Sequence, residues 1–440
     1  MTEATAGQEA ATAAAHPPIP ARQVAAAVVG NALEFYDFTT YALFAAALGR
    51  TFFPSHTAFE SLMMSLLTFA VGFVSRPVGA FVIGRIGDKY GRKPAMLLSF
   101  CLMGLGMLGL VLIPPYAMIG PAAPALLVFC RLVQGFALGG EVGPTTAFLI
   151  EAARPDRRGL VGSWQSASQS VASLVGATIG LILAHLLTPG QLDAFGWRIA
   201  FGLGALVLPF GLWLRRRLPE TLHHGEQAAG PEGPGWRVHV RPMLLGLMLI
   251  MSFTTSTYVL LYMTTYASQT LHMSQGASFA ASVANGVSGL VFTLLGGALS
   301  DRLGRRPVMI TSRVLFLLCT LPAFLLMLHF RNGLTVMLCT GVMSAFSSMS
   351  VGAALVAMSE SMRKDMRSMG LAVIYALGVT VFGGLAQPMV AWLVKAMANP
   401  MAPAWYMMAA ALVGIIAMYL MPETRPAPAE VGDATPVELA

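Results

Sequence analysis

The sequence predicts an all-α membrane protein with twelve transmembrane helices in two pseudo-symmetric halves of six. The prediction depends on an apolar composition, a series of long apolar stretches and a duplicated loop. Of 440 residues, 56% are hydrophobic and only 11% are charged, whereas about 25% of residues are charged in an ordinary soluble domain. We therefore expect the chain to lie in a lipid bilayer.

The apolar stretches are each long enough to cross about 30 Å of hydrocarbon. A closed barrel would instead show alternating segments of about ten residues, so helices are predicted. The twelve stretches lie at 23–46, 62–86, 95–113, 122–149, 160–187, 197–214, 242–266, 276–299, 308–329, 333–359, 369–396 and 402–421.

The duplicated loop divides the chain into two halves. The sequence GRIGDKYGRK at 84–93 returns as GALSDRLGRR at 297–306, 213 residues later, and each copy lies between two apolar stretches. The pair Glu151 and Arg158 returns as Glu360 and Arg367, and LPET at 218–221 returns as MPET at 421–424. A duplicated membrane unit is typical of transporters.

The basic residues predict the orientation. With both termini in the cytoplasm, inner loops and their flanks hold twenty Lys and Arg residues, and the outer side holds four. This bias follows the positive-inside rule. It also accounts for the net charge of +7, so the basic character indicates no nucleic-acid partner.

Composition predicts the domain boundaries. Residues 1–21 are expected to form a disordered cytoplasmic tail, 22–216 the first six-helix half, 217–240 a cytoplasmic linker, 241–425 the second half and 426–440 a second tail. The four Cys and eight His residues lack metal-ligand spacing, and no nucleophile-base pair is visible. We therefore expect neither a metal site nor an enzyme.

The repeated loop is predicted to form a gate on the inner side. An Asp at a helix end can accept hydrogen bonds from an Arg or from the N-terminus of a neighbouring helix, and such contacts would hold the halves together. The alternative is a basic loop that only sets topology. The gate candidates are Asp88, Arg92, Asp301 and Arg305.

Charges inside the predicted helices indicate a functional network, because each is costly in hydrocarbon unless it faces a partner or a water-filled cavity. Glu34 and Asp37 are three residues apart and share a helix face. Arg76 lies midway along the second stretch, and Arg131 shares a face of the fourth with Glu141. An acid of this set could take up a proton while an Arg holds an anion. A structural ion-pair network is the alternative.

Polar stripes add candidate cavity walls. Gln165 and Gln169 lie one turn apart in the fifth stretch, and Tyr258 and Tyr262 lie one turn apart in the seventh. Amides and hydroxyls suit a ligand rich in oxygen. Hydrogen bonding between helices is the alternative, since it is common in membranes.

Several of these motifs resemble those of the major facilitator superfamily over residues 22–425. They are the doubled loop, RLVQG at 131–135 and the Pro-Glu-Thr ends of both halves. GNALEFYDF at 30–38, SRPVGA at 75–80 and FGG at 382–384 resemble the metabolite:proton symporter family within it. SWQSASQ at 163–169 and the seventh stretch are most similar to citrate- and tricarballylate-proton symporters. Pro144, in the fourth stretch, departs from the pattern of the citrate carriers.

The resemblance implies a proton-coupled importer of a small organic acid, citrate or a related tricarboxylate, that works by alternating access as a monomer. It would be a multi-pass protein of the bacterial inner membrane whose only coupling cofactor is the proton. Alternative substrates are dicarboxylates, 2-oxoglutarate, shikimate, proline or betaine; an efflux antiporter would need an apolar cavity with few cations. The resemblance assigns proton coupling to Asp37, Glu34 and Glu141. Glu141 is alternatively a partner of Arg131. Substrate binding is assigned to Arg76, Arg131, Gln165, Gln169, Tyr258 and Tyr262.

Overall fold

The computed structural model describes residues 21–90, 92–139, 149, 153–216, 237–362 and 367–424. These residues form helices and connecting turns, with no strand among them. Twelve helical segments, α1 to α12, correspond to the twelve predicted stretches. The predicted linker and both tails lie almost entirely outside the described residues, so the domain boundaries stay predictions.

Two of the segments in the first half are interrupted or extended. Helix α1 is followed by a short helix, Ala45–Phe52, and α2 is broken at Ser75. The bounds are α1 Ala21–Leu43, α2 Ala58–Val74 and Arg76–Tyr90, α3 Arg92–Leu112, α4 Ala122–Leu138, α5 Arg158–Leu186 and α6 Trp197–Arg216.

The second half repeats this order. Its eleventh segment contains a π-helical turn, Val379–Gly383, and a second π turn, Tyr266–Thr270, extends the seventh. The bounds are α7 Arg237–Thr265, α8 Gln275–Leu303, α9 Arg305–Phe330, α10 Gly333–Ser361, α11 Arg367–Gly378 and Ala386–Ala396, and α12 Ala402–Leu420.

The outer surface of the bundle is apolar. Eight helices of the described chain are long and apolar enough to cross a membrane, and the shorter Leu97–Leu112 and Ala122–Leu138 are also apolar. Leu112, Leu318 and Tyr419 are 76%, 64% and 69% exposed. Large apolar side chains in such positions would be unfavourable in water but are suited to lipid.

Local sequence explains where several helices begin. The side chains of Thr57, Ser274 and Asn332 accept hydrogen bonds from backbone N–H groups three residues later and so cap α2, α8 and α10. The break in α2 lies before Pro77, which lacks a backbone donor. This break begins a new helical part at Arg76, one of the predicted site residues.

Contacts between the two halves include the helix pairs α5–α8 and α2–α11. Helices α5 and α8 cross so closely that a Cβ atom on Gly159 would lie 2.4 Å from the carbonyl oxygen of Gly297, which only glycine allows. On the opposite side, the Thr380 hydroxyl of α11 donates to the Phe73 carbonyl of α2 at 3.1 Å. The space between these two seams holds the central cavity.

Candidate functional site: a polar cavity between the two halves

The cavity has a volume of about 120 Å³ and is lined by both halves. Helices α1 and α5 contribute one wall, and α7, α8, α10 and α11 contribute the other. Aromatic, aliphatic, hydroxyl and amide side chains share its walls. The lining includes Phe38, Gln169, Tyr258, Asn285, Ser347 and Tyr375.

A buried ion pair joins α1 to α4 beside this cavity. Asp37 Oδ2 accepts a hydrogen bond of 2.8 Å from Arg131 Nη1, and both side chains are fully buried. Gln134 completes a triangle: its Nε2 donates to Asp37 Oδ1 at 2.9 Å, and its Oε1 accepts from Arg131 Nη1 at 2.7 Å. The carboxylate therefore has two strong partners, so its protonation state is tied to the position of Arg131.

Arg76 lies next to this pair but has no carboxylate partner among the described residues. Its guanidinium carbon lies 4.5 Å from the ring centre of Phe38 and 4.0 Å from that of Phe73. The side chain interacts with the Tyr258 hydroxyl, while Nε and Nη2 are buried without a hydrogen-bond partner in the described structure. A buried cation with free donors can bind an anion.

Both arginines lie against the ring of Phe38. The guanidinium carbon of Arg131 lies 4.3 Å from the same ring centre, and Phe38 lines the cavity. Neither arginine is part of the cavity lining, so each lies one side chain behind the wall. Cation–π contacts hold both guanidinium groups at this ring.

The predicted amide stripe on α5 is connected to α1. Asn31 Nδ2 donates to the Gln165 carbonyl at 3.1 Å and to Ser168 Oγ at 2.6 Å. Gln169 Nε2 donates to Gln165 Oε1 at 2.9 Å, and Gln169 lines the cavity whereas Gln165 lies behind it. Gln165 therefore orients Gln169. Glu34 is buried, with 1% exposure.

The predicted tyrosines divide in the same way. Tyr258 lines the cavity and packs edge-to-face on Phe73, with ring centres 5.5 Å apart. Tyr262 is 3% exposed and does not line it. Tyr375 of α11 lines the cavity and interacts with Gln169 of the other half. Sequence reasoning missed Tyr375, although a tyrosine within the predicted eleventh helix was a usable signal.

At one end of the bundle, the second copy of the loop motif joins the two halves. The Asp301 carboxylate accepts from the backbone N–H groups of Gly159 and Leu160 at 2.8 and 2.9 Å, at the N-terminus of α5. Arg305 Nη1 also donates to it at 2.6 Å, and Arg305 Nε donates to Glu360 at 3.2 Å. A carboxylate at a helix N-terminus is stabilised by the free N–H groups and the helix dipole.

Glu141 lies outside the described residues, and so do the side chains of Asp88 and Arg92. Sequence analysis also overlooked Arg313, a fully buried cation of α9. The signal was present, since an arginine in the middle of an apolar stretch is costly unless it has a role.

Comparisons with known proteins agree with this architecture. Residues 27–293 match the Major Facilitator Superfamily profile, and residues 233–431 match that of "Sugar (and other) transporter". A citrate-proton symporter from Salmonella typhi is 36% identical over 89% of this chain and 92% of its own length. A proline/betaine transporter from Escherichia coli (strain K12) is 32% identical over 92% of this chain and 84% of its own length.

A crystal structure of a D-xylose-proton symporter has the same fold, with a TM-score of 0.72 and 18% identity over 92% of this chain and 98% of that chain. The predicted fold class and the resemblance are therefore confirmed. The relatives are named as transporters and not as enzymes, as the sequence predicted for this chain. The chain belongs to the Major Facilitator Superfamily and is a membrane-spanning transporter.

Proposed function

We propose that this protein imports a small organic acid, citrate or a related tricarboxylate, together with protons. The observation that carries the proposal is Arg76, a buried cation whose Nε and Nη2 have no acceptor in the described structure. It lies behind Phe38 and beside Tyr258, both on the cavity wall. An anion in the cavity would supply the missing acceptor, and the planar guanidinium suits a carboxylate.

Asp37 is the proposed proton carrier. In the ionised state its carboxylate holds Arg131 at 2.8 Å. Protonation removes the charge that stabilises this pair, so Arg131 would gain freedom to act on a substrate anion. Because Arg131 and Arg76 both contact Phe38, a change at the proton site would reach the anion site through one side chain. Glu34 and Glu141 remain candidates for a further proton site.

Alternating access would use the contacts of Asp301. This carboxylate holds the N-terminus of α5 against the second half, so breaking these contacts would separate the halves at that end. We place this end on the cytoplasmic side of the bacterial inner membrane, with both termini in the cytoplasm, because of the distribution of basic residues. Both halves of a single chain line the cavity, which supports function as a monomer.

An osmolyte such as betaine is the second candidate. Aromatic side chains line much of the cavity, including Phe35, Phe38, Phe253, Tyr258 and Tyr375, and aromatic faces bind quaternary ammonium groups. One relative is named a proline/betaine transporter. The uncompensated positive charge of Arg76 opposes a cationic group close to it, so the organic acid is favoured.

Counter-flow in proteoliposomes tests the choice. Vesicles loaded with unlabelled citrate should take up labelled citrate, and vesicles loaded with betaine should not take up labelled betaine. With an acidic exterior, citrate should accumulate, and a protonophore should abolish the accumulation. Betaine counter-flow without citrate counter-flow would overturn the organic-acid proposal.

A further inference from the structure

Arg313 is a buried arginine in the second half that no part of the proposed transport cycle uses. It lies on α9 with no exposure to solvent. Its Nε donates to Ser252 Oγ at 3.1 Å, and its Nη2 donates to the Ser252 carbonyl and to Ser256 Oγ, the latter at 2.7 Å. Its Nη1 donates to Ser347 Oγ at 3.3 Å. The guanidinium thus joins α7 and α10 to α9.

All these acceptors are neutral. No carboxylate of the described residues forms an ion pair with Arg313, whereas Arg131 has Asp37 and Arg305 has both Asp301 and Glu360. Hydroxyl and carbonyl oxygens satisfy the donors but do not neutralise the charge. A buried charge without a counter-charge is unfavourable, so the site has a net positive potential that an anion would reduce.

The guanidinium lies one side chain behind the cavity. Ser347, which accepts from it, lines the cavity. Phe253, whose ring centre lies 5.3 Å from the guanidinium carbon, lines it as well. In the first half, Arg76 lies behind Phe38 in a comparable way. Each half therefore places one arginine that lacks a carboxylate partner among the described residues behind the wall of the same cavity.

Ser347 provides the direct link to a ligand. Its oxygen accepts from Arg313, and its hydroxyl donates to no acceptor in the described part of the chain. The hydroxyl proton is thus available to a group in the cavity. Accepting from a cation polarises the hydroxyl and makes it a stronger donor.

We propose that Ser347, positioned and polarised by Arg313, forms a second anion subsite that binds a further carboxylate of the substrate. This inference rests on the proposed transport of an organic acid and extends it. Arg313 is a positioning residue, because it reaches the ligand only through Ser347 and through its charge. A substrate with two or more carboxylates would then bridge Arg76 in one half and Ser347 in the other, which would favour the closed arrangement of the halves.

The test uses ligands that differ only in carboxylate number. Tricarballylate, glutarate and butyrate carry three, two and one carboxylates on the same three-carbon chain. Their binding to the purified full-length protein is measured directly and as competition with labelled citrate uptake. The variants are Ser347→Ala, Ser347→Thr and Arg313→Gln. Ser350→Ala is the matched control, because Ser350 is a buried serine of the same helix that donates to the Met309 carbonyl instead.

Ser347→Ala and Arg313→Gln should weaken binding of tricarballylate and glutarate by roughly tenfold, the loss expected for a charge-assisted hydrogen bond. Binding of butyrate should change by less than about twofold, since it uses Arg76 alone. Ser347→Thr keeps the hydroxyl and should bind all three ligands as the wild type does, and so should Ser350→Ala. Because Ser347→Ala removes one oxygen only, it keeps the test valid if Arg313→Gln does not fold.

Two results would overturn the inference. If Ser347→Ala weakens all three ligands by the same factor, or none of them, the subsite does not exist, while the proposed function stands. If the wild-type protein binds no carboxylate at all but binds betaine, the proposed function fails and the subsite fails with it.

Discussion

Asp37 and Arg131 form a fully buried ion pair between α1 and α4, with a distance of 2.8 Å from Oδ2 to Nη1. Burial removes solvent screening, so the pair is stable only while both groups are charged and well oriented. Gln134 provides that orientation through hydrogen bonds to both members. A proton on Asp37 would remove the negative charge on which both of its hydrogen bonds depend.

Replacement of Asp37 by Asn should separate transport from proton coupling. The amide cannot exchange a proton, so accumulation driven by a pH gradient should be abolished. Exchange of labelled for unlabelled substrate should continue at a reduced rate, because it needs no net proton movement. Both are measured in proteoliposomes, with Glu60→Gln as a control because Glu60 is an exposed carboxylate of α2. Accumulation of citrate by Asp37→Asn would refute this role.

Replacement of Arg76 by Lys should lower substrate affinity. Lysine keeps the charge but loses the planar fork and the stacking on Phe38 and Phe73. Loss of a charge-assisted hydrogen bond of about 1.5–3 kcal/mol raises KM by roughly tenfold or more. Arg131→Lys should lower uptake as well, through the Asp37 pair. Arg198→Lys is the control, since Arg198 donates to backbone carbonyls away from the cavity. Wild-type kinetics in both Arg76→Lys and Arg131→Lys would show that these arginines only contribute to packing.

Replacement of Asp301 by Asn should slow the transport cycle more than it weakens binding. The variant loses the charge that interacts with the α5 N-terminus and with Arg305, and this shifts the equilibrium between conformations without touching the cavity. Substrate affinity should stay within about twofold while the turnover rate falls. We expect the same of Asp88→Asn because the motif is repeated. Asp156→Asn, which changes an exposed ion pair, serves as the control. An unchanged turnover rate in both Asp301→Asn and Asp88→Asn would show that the repeated loop sets topology and is not a gate.

Replacement of Gly159 by Ala should open the same end of the molecule. The new Cβ atom would lie 2.4 Å from the Gly297 carbonyl oxygen, so α5 and α8 could not keep their present distance. Overpacking of this kind costs about 1–3 kcal/mol. A cysteine placed near Gly297 should become more reactive to a soluble thiol reagent. Gly202→Ala is the matched control because no atom of another helix lies within 4 Å of its Cβ position. Equal reactivity in the two variants would contradict the close crossing.

The position of the Asp301 loop gives a test of orientation. A single cysteine introduced beside this loop should resist an impermeant thiol reagent in intact cells and react with it in inverted vesicles. The prediction follows from the twenty basic residues placed on the inner side. Labelling in intact cells would reverse the proposed topology.

The twelve segments and the duplication could be predicted from the sequence because apolar length and repeated motifs are local properties. The charged residues of α1, α2 and α4 were also recognisable, since a charge in hydrocarbon is costly wherever it lies. Their pairing was not predictable. Arg131 had both Asp37 and Glu141 as candidate partners, and helix packing brings Asp37 to it. Tyr375 and Ser347 face the cavity only because α10 and α11 pack beside α7, although two other helices lie between α7 and α10 in the chain.

The amino-acid sequence by itself determined that this chain spans a membrane as two repeated halves and which charges are buried in them. Tertiary structure alone decided that Arg76 and Arg313 lie behind opposite walls of one cavity, without carboxylate partners among the described residues. The reason is physical: burial of a charge follows from its position within one apolar helix, but compensation of that charge depends on which neighbouring helix supplies the nearest oxygen. That choice is made by packing within each half: α1 brings Asp37 to Arg131, whereas α7 and α10 bring neutral oxygens to Arg313.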